Sequence, residues 1–253
     1  MRVLKVGGNE LEDAAFLVRL GDSVAAMQAA APDGLVIVHG GGRAIAALQS
    51  QLGLQTVKVD GLRVTDGPSL AAAQMVLSGQ SNKVVVKALL AAGVDALGVS
   101  GVDGGLLRCR QKTHPTADLG LVGEIVTVRE SLLRRLAGLG LVIVLSPISL
   151  GLDGQTYNVN ADEAAAAVAR AVDAQELVFI SNVPGVLRGQ EVLPQLTLTE
   201  CEALIADGVI AGGMIPKVRA ALDVVAHGVA SARIANLAGL AGGGTTFVAG
   251  GAA

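Results

Sequence analysis

The chain has 253 residues, of which 51% are hydrophobic, 16% are charged and 2% are aromatic, and its formal net charge is −3. This composition excludes a disordered chain, and the length suits one α/β domain or two small lobes. Because the sequence has no basic cluster and no interleaving of aromatic and basic residues, neither nucleic acid nor an anionic membrane is an expected partner.

Short apolar runs alternate with alanine-rich helical patterns along the chain. The apolar runs predict strands at 3–6, 35–38, 96–100, 141–146, 177–181, 232–236 and 245–248. The segments between most of them predict helices at 10–31, 43–52, 67–92, 129–137, 160–173 and 215–227. Two Asp-Gly pairs, Asp103-Gly104 and Asp153-Gly154, predict hairpins or tight turns. Nearly continuous hydrophobic strands separated by helices favour a two-lobed α/β sandwich, with a mainly parallel sheet covered on both faces.

The N-terminus does not read as a signal peptide, because Lys5 and the Gly7-Gly8 pair interrupt its apolar run. The uncharged stretch 136–152 contains Gly, Ser and Pro, which favours a buried strand with its loops over a membrane span. Cys109 and Cys201 form no CxxC pair, and the histidines have no metal-ligand spacing. We therefore expect a soluble cytoplasmic protein with no metal cage.

Glycine-rich turns follow the first two predicted strands. Gly7-Gly8 follows the first strand, and the run 39–42 (HGGG) follows the second. Because the carboxyl ends of parallel strands share one sheet edge, both turns would present bare backbone N–H groups there, which suits an anion. Tight turns alone would also explain the glycines. Neither a GxxxxGK[ST] nor a GxGxxG motif is present, so any phosphate site has a different architecture.

Two lysines occupy locally unfavourable places beside glycines. Lys5 lies inside an apolar strand, where an unpaired ammonium stripped of water costs roughly several kcal/mol. Lys217 follows Pro216 in the first turn of a predicted helix, where a cation opposes the helix dipole. Either side chain could be solvated, but together they favour a shared anionic ligand.

The segment 157–172 begins another helix. Asn160 fits its N-cap and Glu163 would complete an Asn-x-x-Glu capping box, which accounts for both residues. Asn158 has no such explanation, and Asp162 could bridge two ammonium groups. Arg63, in a turn, could grip a carboxylate with two parallel hydrogen bonds or lie idle at the surface.

These features are the parts needed for phosphoryl transfer between anions, which depends on positioning and charge neutralisation. The sequence offers no obvious general base. A carboxylate acceptor, with a pKa of about 4, needs none at neutral pH, whereas a hydroxyl acceptor more often does. A carboxylate is therefore the favoured acceptor.

The residues in question resemble the amino acid kinase family. The matching stretches run in family order over nearly the whole chain and are specific as a set: KVGG (5–8), VHGGG (38–42), GLRVTD (61–66), NK (82–83), DLGLVGEI (118–125), YNVNADEAA (157–165), SNVPGVL (181–187), GGMIPKV (212–218) and GTT (244–246). The resemblance implies a three-layer αβα sandwich with a mainly parallel central sheet. It also implies an N-terminal lobe (1–172) for the amino-acid substrate and dimerisation, and a C-terminal lobe (173–253) for ATP.

The implied reaction moves the γ-phosphate of ATP, bound with Mg²⁺, to the side-chain carboxylate of N-acetyl-L-glutamate, a step of arginine biosynthesis. The metal would be held mostly by phosphates and water. By motif match, Lys5 and Lys217 would stabilise the transferring phosphoryl group, and Asp162 would orient both lysines. The residues implied in substrate binding are Gly41, Gly42, Arg63, Asn158 and Asn160. The residues implied in nucleotide binding are Gly8, Ser181, Asn182, Val183, Gly185, Val186, Leu187, Gly212 and Gly213.

Two departures from the family pattern keep an alternative substrate open. Asn182 and Gly212 stand where aspartate is common, and Asn182 resembles the kinase that phosphorylates carrier-protein-linked aminoadipate in lysine biosynthesis. The stretches 61–66 and 118–125 favour acetylglutamate instead. Carbamate, aspartate and uridylate kinases are more distant alternatives. The matches at 118–125 and 157–165 argue against them.

A non-catalytic amino-acid or nucleotide sensor on the same fold is the rival class. Loss of Lys5, Asp162 or Lys217 would favour it, and all three residues are present. Because the first strand is predicted to begin within the first three residues, no room is left for the N-terminal helix of arginine-inhibited hexameric members. We therefore expect a homodimer insensitive to arginine, with part of 67–92 as a dimer helix.

Overall fold

The computed structural model of the chain describes residues 1–30 and 34–249. Residue 31 of the predicted first helix and residues 250–253 of the predicted C-terminal lobe lie outside the described residues. The strands are β1 (Arg2–Val6), β2 (Leu35–His39), β3 (Lys58–Val59), β4 (Leu62–Arg63), β5 (Ala96–Ser100), β6 (Leu107–Gln111), β7 (Gly123–Val128), β8 (Val142–Ser146), β9 (Ile148–Gly151), β10 (Thr156–Asn158), β11 (Glu176–Ile180), β12 (Leu187–Arg188), β13 (Glu191–Val192), β14 (Gln195–Leu196), β15 (Ala232–Ala235) and β16 (Thr245–Phe247). The α-helices are α1 (Ala14–Ala30), α2 (Gly42–Gln51), α3 (Gly67–Gln74), α4 (Asn82–Ala91), α5 (Glu130–Ala137), α6 (Ala161–Ala171), α7 (Leu198–Ala206) and α8 (Met214–Ala226).

Eight strands form the central sheet, in the order β14-β16-β15-β11-β1-β2-β8-β5. Every neighbouring pair is parallel except β15 with β16. All five residues of β2 and of β8 are buried, as expected for strands covered by helices on both faces. The predicted mainly parallel three-layer sandwich is confirmed.

The alternation of β1 decides which layer each of its side chains enters. Leu4 and Val6 pack with α1 and α4 in one core layer, whereas Val3 packs with α6 and α8 in the other. Lys5 lies two residues after Val3 and therefore points to the α6 side, close to the end of the strand. This register brings an ammonium group to the start of α6.

A smaller sheet and a hairpin cover the edge where β1 and β2 end. The smaller sheet has the order β10-β9-β6-β7, and β3 pairs with β4 in an antiparallel hairpin. Within the smaller sheet, Asp153-Gly154 forms the predicted turn between β9 and β10, with a φ of 85° at Gly154. Asp103-Gly104 forms a single 3-10 turn rather than a hairpin, because the strands on either side of it, β5 and β6, belong to different sheets.

Three features of the helices differ from the predicted pattern. The helix predicted from residue 10 begins at Ala14, because Asp13 has extended backbone after a 3-10 turn at Glu10–Glu12. The predicted helix at 67–92 is continuous, but a π-helical segment at Met75–Ser81 separates α3 from α4. Helix α7 was not predicted, although a Thr197–Glu200 capping box marks its start. Among the described residues, no helix has the length and apolarity needed to cross a membrane.

Candidate active site

A cavity of about 260 Å³ opens at the carboxyl ends of β1 and β2. The parallel pairing places Val6 opposite His39, so the two glycine-rich turns that follow these strands lie side by side. The predicted site residues that line the cavity are Lys5, Gly8, Gly41, Gly42, Arg63, Asn158, Asn160 and Asp162. These residues come from four separate segments of the sequence, which the fold gathers at one sheet edge.

The partner of Lys5 is Asp162. Lys5 Nζ lies 3.0 Å from Asp162 Oδ1, and the two side chains are 17% and 41% exposed, respectively. Asp162 is held in the first turn of α6 because the side chain of Asn160 caps that helix and accepts the Asp162 N–H at 2.7 Å. The ammonium group in the apolar strand therefore has a carboxylate partner, and it faces the cavity.

The predicted capping box at Asn160 forms only in part. Asn160 Oδ1 accepts the Glu163 N–H at 3.3 Å, but the carboxylate of Glu163 accepts two hydrogen bonds from Lys112 Nζ, at 2.8 and 2.9 Å. The ammonium of Lys112 forms a charge-assisted hydrogen bond with this carboxylate, which is stronger than the bond that the backbone N–H of Asn160 would form. Lys112 thereby ties the end of β6 to the start of α6, next to Asp162.

Lys217 has a different partner from the one expected. Its Nζ donates to Ser181 Oγ at 2.7 Å, and within residues 1–30 and 34–249 the ion pair of Asp162 is with Lys5 alone. Lys217 lies in the first turn of α8, which begins beyond the end of β11, and Ser181 is the residue that follows β11. The hydroxyl is therefore within reach of the amine. The predicted contact between Asp162 and Lys217 is not formed in this structure.

Apart from Gly8, which lines the first cavity, the predicted nucleotide-binding residues lie beyond the end of β11 and at the start of α8. Ser181 and Asn182 line a separate cavity of about 510 Å³. In the same turn, the Val186 N–H donates to Thr245 Oγ1 at 2.8 Å, which fixes the course of residues 183–187. Gly212 has a φ of 55°, in the left-handed region, and lies immediately before Gly213, the N-cap residue of α8.

Arg63 reaches the cavity from the β3–β4 hairpin. Its Nη2 donates to the carbonyl of Gly42 at 2.8 Å, and its Nη1 donates to the side chains of Gln49 and Thr56. Burial lowers the pKa of the Arg63 guanidinium from its usual value, which still leaves it charged at neutral pH. The guanidinium is therefore fixed by hydrogen bonds and is not a free surface group.

Gln49 is a site residue that the sequence reasoning missed. Its side chain is fully buried on α2, one turn after buried Ile45. The sequence did contain one indication of this role, because a polar residue lies four positions after Ile45, on the apolar face of the helix. Asn158, on the opposite wall, donates to Thr65 Oγ1 at 3.3 Å.

A buried polar network lies under the second glycine turn. His39 Nδ1 is 3.1 Å from the carbonyl of Gly40, and His39 Nε2 is 3.2 Å from Asn82 Nδ2, which also donates to the carbonyl of Val144 at 2.9 Å. Because a carbonyl only accepts, Nδ1 carries the proton, and Nε2 accepts from the amide. Burial, opposed by the bond to Gly40, lowers the pKa of His39 to about 4. The imidazole is neutral at neutral pH and anchors the glycine turn.

This neutral histidine makes stability dependent on pH. Between pH 6.5 and about 4 the unfolded chain binds a proton at His39 that the folded chain does not, so the free energy of unfolding falls as the pH falls through that window. We expect His39 to contribute a loss of about 2 kcal/mol between pH 7 and pH 5. Urea unfolding at the two pH values measures it.

The matched control is His39→Gln, which retains a donor and an acceptor but does not titrate. His114 and His227 are unchanged in this variant, so their contributions cancel in the comparison. An equal pH dependence in wild type and His39→Gln would contradict the assignment of a neutral buried His39.

The sequence matches the amino acid kinase family model over residues 1–236. The chain belongs to the amino acid kinase family. An acetylglutamate kinase from Roseiflexus castenholzii is 52% identical over 98% of this chain and 93% of its own length. Among solved structures, smu.665 from Streptococcus mutans UA159 has 30% identity and a TM-score of 0.82, with 98% of each chain covered. A carbamate kinase from Giardia, at 16% identity, has a TM-score of 0.71 over 98% of each chain and shares the fold.

Proposed function

We propose that this member of the amino acid kinase family transfers the γ-phosphate of MgATP to the side-chain carboxylate of N-acetyl-L-glutamate. The observation that carries the proposal is the single cavity that contains the Lys5–Asp162 pair, both glycine turns and Arg63. The name of the Roseiflexus relative, at 52% identity over nearly the full length, supports the same substrate. The reaction belongs to arginine biosynthesis.

The acceptor oxygen needs no general base. A side-chain carboxylate with a pKa of about 4 is ionised at neutral pH and is already a nucleophile. The charge that must be stabilised is the one spread over the oxygens of the transferring phosphoryl group. Lys5 supplies a fixed positive charge for those oxygens, and its ion pair with Asp162 holds the ammonium at the cavity wall.

The glycine turns supply the remaining stabilisation. Gly8 and Gly41 approach so closely that a Cβ on Gly8 would lie 2.5 Å from Gly41 Cα. With no side chain between them, their backbone N–H groups can reach an anion directly, in the manner of an oxyanion hole. We assign Gly8, Gly41 and Gly42 to this role and Arg63, Asn158 and Asn160 to the acetamido and α-carboxylate end of the substrate.

The nucleotide is assigned to the other half of the sheet. Ser181, Asn182 and the 183–187 turn, with Gly212 and Gly213, lie at the end of β11 and the start of α8, where backbone N–H groups favour phosphate. Lys217 lies in the first turn of this helix and is the second lysine assigned to the phosphoryl group. Mg²⁺ arrives with ATP as substrate, and its phosphates provide the hard oxygen ligands that this ion prefers. Among the described residues, no group of three or more His, Cys, Asp or Glu side chains could hold a metal ion.

The division into an amino-acid lobe at 1–172 and an ATP lobe at 173–253 follows from the same assignment. The central sheet runs through both lobes, which meet where β1 pairs with β11. The homodimer, its insensitivity to arginine and the cytoplasmic location remain predictions of the sequence.

A hydroxamate assay tests the proposed substrate, because hydroxylamine traps the acyl phosphate product. We expect ATP-dependent hydroxamate from free N-acetyl-L-glutamate and little from carrier-protein-bound aminoadipate. One methylene in a pocket discriminates by only about 1–3 kcal/mol, so both substrates must be compared at matched concentrations. A preference for the carrier-bound substrate would move the assignment to the lysine pathway, and failure with both would remove it.

A further inference from the structure

The side chain of Gln49 contains an unexplained buried polar atom. Gln49 Oε1 accepts hydrogen bonds from Thr56 Oγ1, at 2.8 Å, and from Arg63 Nη1. Gln49 Nε2 is buried and has no hydrogen-bond partner among the described residues. A buried donor left without a partner costs about 1–3 kcal/mol, so its presence requires a compensating role.

The orientation of the Gln49 amide is determined by its neighbours. If the amide were flipped, Nε2 would face the guanidinium of Arg63, and two donors would oppose each other. The acceptor therefore has to face Arg63, and the unpaired Nε2 is the consequence of that contact. A residue without an amide nitrogen, such as glutamate, would offer the same acceptor without the unpaired donor.

The contact leaves part of Arg63 available to a ligand. A guanidinium has five N–H donors. Arg63 gives three hydrogen bonds, to Gln49, Thr56 and Gly42, and its Nε–H gives none to any residue that the structure describes. Two donors remain, the number that a carboxylate accepts in a bidentate pair.

The choice of a neutral acceptor has an electrostatic consequence. A carboxylate at position 49 would lie in hydrogen-bond contact with Arg63 and would neutralise its charge in a half-buried setting, where screening by water is weak. The amide oxygen holds the guanidinium in place and leaves its full charge to act on whatever enters the cavity.

We propose that Gln49 is a positioning residue, which holds Arg63 from behind with an uncharged acceptor so that the guanidinium keeps both its orientation and its positive charge for the substrate's α-carboxylate. The inference rests on the proposed function and extends it from Arg63 to the side chain that prepares Arg63. Gln49 is not one of the residues that line the cavity, so it acts through Arg63 and not by contact with the substrate.

The decisive variant is Gln49→Glu, which keeps the shape and the acceptor but adds a negative charge. We expect the KM for N-acetyl-L-glutamate to rise roughly tenfold or more, because charge-assisted bonds to Arg63 are strong and the new carboxylate competes for them. The KM for ATP should stay within about twofold, and the thermal midpoint should not fall. A purely structural role for Gln49 predicts an unchanged KM for N-acetyl-L-glutamate, because Glu would hold Arg63 at least as tightly.

The matched control is Gln51→Glu, which adds the same charge at an exposed position two residues along α2. It should leave both KM values unchanged. Gln49→Met, which lacks the acceptor, is the second variant in case Gln49→Glu does not fold. It should raise the KM for the amino acid several-fold, and the KM for ATP should stay at its wild-type value.

A wild-type KM for N-acetyl-L-glutamate in Gln49→Glu, or in Gln49→Met if that is the variant that folds, would overturn this inference and leave the proposed function intact. A parallel rise in both KM values would also overturn it, since it would indicate a general disturbance of the site. Lack of activity in the wild-type protein would instead refute the proposed function itself.

Discussion

Lys5→Met is expected to lower kcat for phosphoryl transfer by roughly 10²–10³-fold, the typical effect of removing one group that stabilises transition-state charge. The physical reason lies in the position of the ammonium group. It emerges at the end of β1, is 17% exposed, and faces the cavity between the glycine turns and α6. Charge in such a partly dehydrated place acts more strongly on a phosphoryl oxygen than charge in water. Methionine keeps the length and the apolar stem of the side chain, so the fold should be retained.

The loss of Lys5 leaves the carboxylate of Asp162 without its partner, and this repulsion alone could lower activity. The double variant Lys5→Met/Asp162→Asn separates the two effects, because it removes both charges of the pair. If Lys5 acts on the phosphoryl group, the double variant stays as inactive as Lys5→Met. Lys87→Met, an exposed lysine on α4, is the control and should retain wild-type kcat. Recovery of kcat in the double variant, or more than about a tenth of wild-type kcat in Lys5→Met, would contradict a direct role.

Lys217 differs from Lys5 in its state before reaction. It donates to Ser181 Oγ and not to Asp162, so its proposed action on the phosphoryl group requires a change of partner. Two ammonium groups repel each other unless an anion lies between them, and the phosphates of the nucleotide are anions of that kind. A shared aspartate is therefore not needed to bring the lysines together if the substrate itself does so.

The features that were predictable from sequence are the local ones. Each predicted strand of the central sheet is confirmed, because a run such as 35–38 is apolar at every position and is only stable when covered on both faces. The N-cap role of Asn160 was predictable for the same reason, since it depends on residues two and three positions away. The family was predictable from a set of short motifs in a fixed order, and the match over residues 1–236 confirms it.

The features that escaped prediction are contacts between distant segments. The sequence pattern predicts that the Glu163 carboxylate accepts a hydrogen bond from the backbone at the start of its own helix. In the structure the carboxylate instead accepts hydrogen bonds from Lys112, 51 residues earlier. Gln49 reads as a polar surface residue of a helix until the β3–β4 hairpin folds over it and presents Arg63, 14 residues later. The spacing of residues within one helix or strand does not predict a contact with a distant segment. The only indication in the sequence is a polar residue among the apolar residues on one face of a helix. The partner of Lys217 is of the same kind, because Ser181 lies 36 residues before it.

Gly8→Ala is expected to damage both stability and activity, because the added methyl group has no free space. Its Cβ would lie 2.5 Å from Gly41 Cα and 2.9 Å from the carbonyl carbon of Gly40, and closer still to Gly41 N. All three atoms belong to the backbone, so no side chain can rotate away, and the two glycine turns must separate. Overpacking of this kind typically costs about 1–3 kcal/mol. A displacement of roughly 1 Å in groups that position the reacting atoms can cost about 10²-fold in rate.

The control for Gly8→Ala is Gly67→Ala, at the start of α3, where an added Cβ would meet no atom within 4 Å. That variant should keep wild-type kcat and equal or greater stability, since alanine is the better helix former. Urea unfolding and kcat measured on both variants make the comparison. If the two turns act as one anion-binding unit, Gly8→Ala loses rate by a larger factor than its loss of stability explains, with most molecules still folded at the assay temperature. Wild-type kcat in a folded Gly8→Ala protein would mean that the contact between the turns serves packing alone and that the phosphoryl group is stabilised elsewhere.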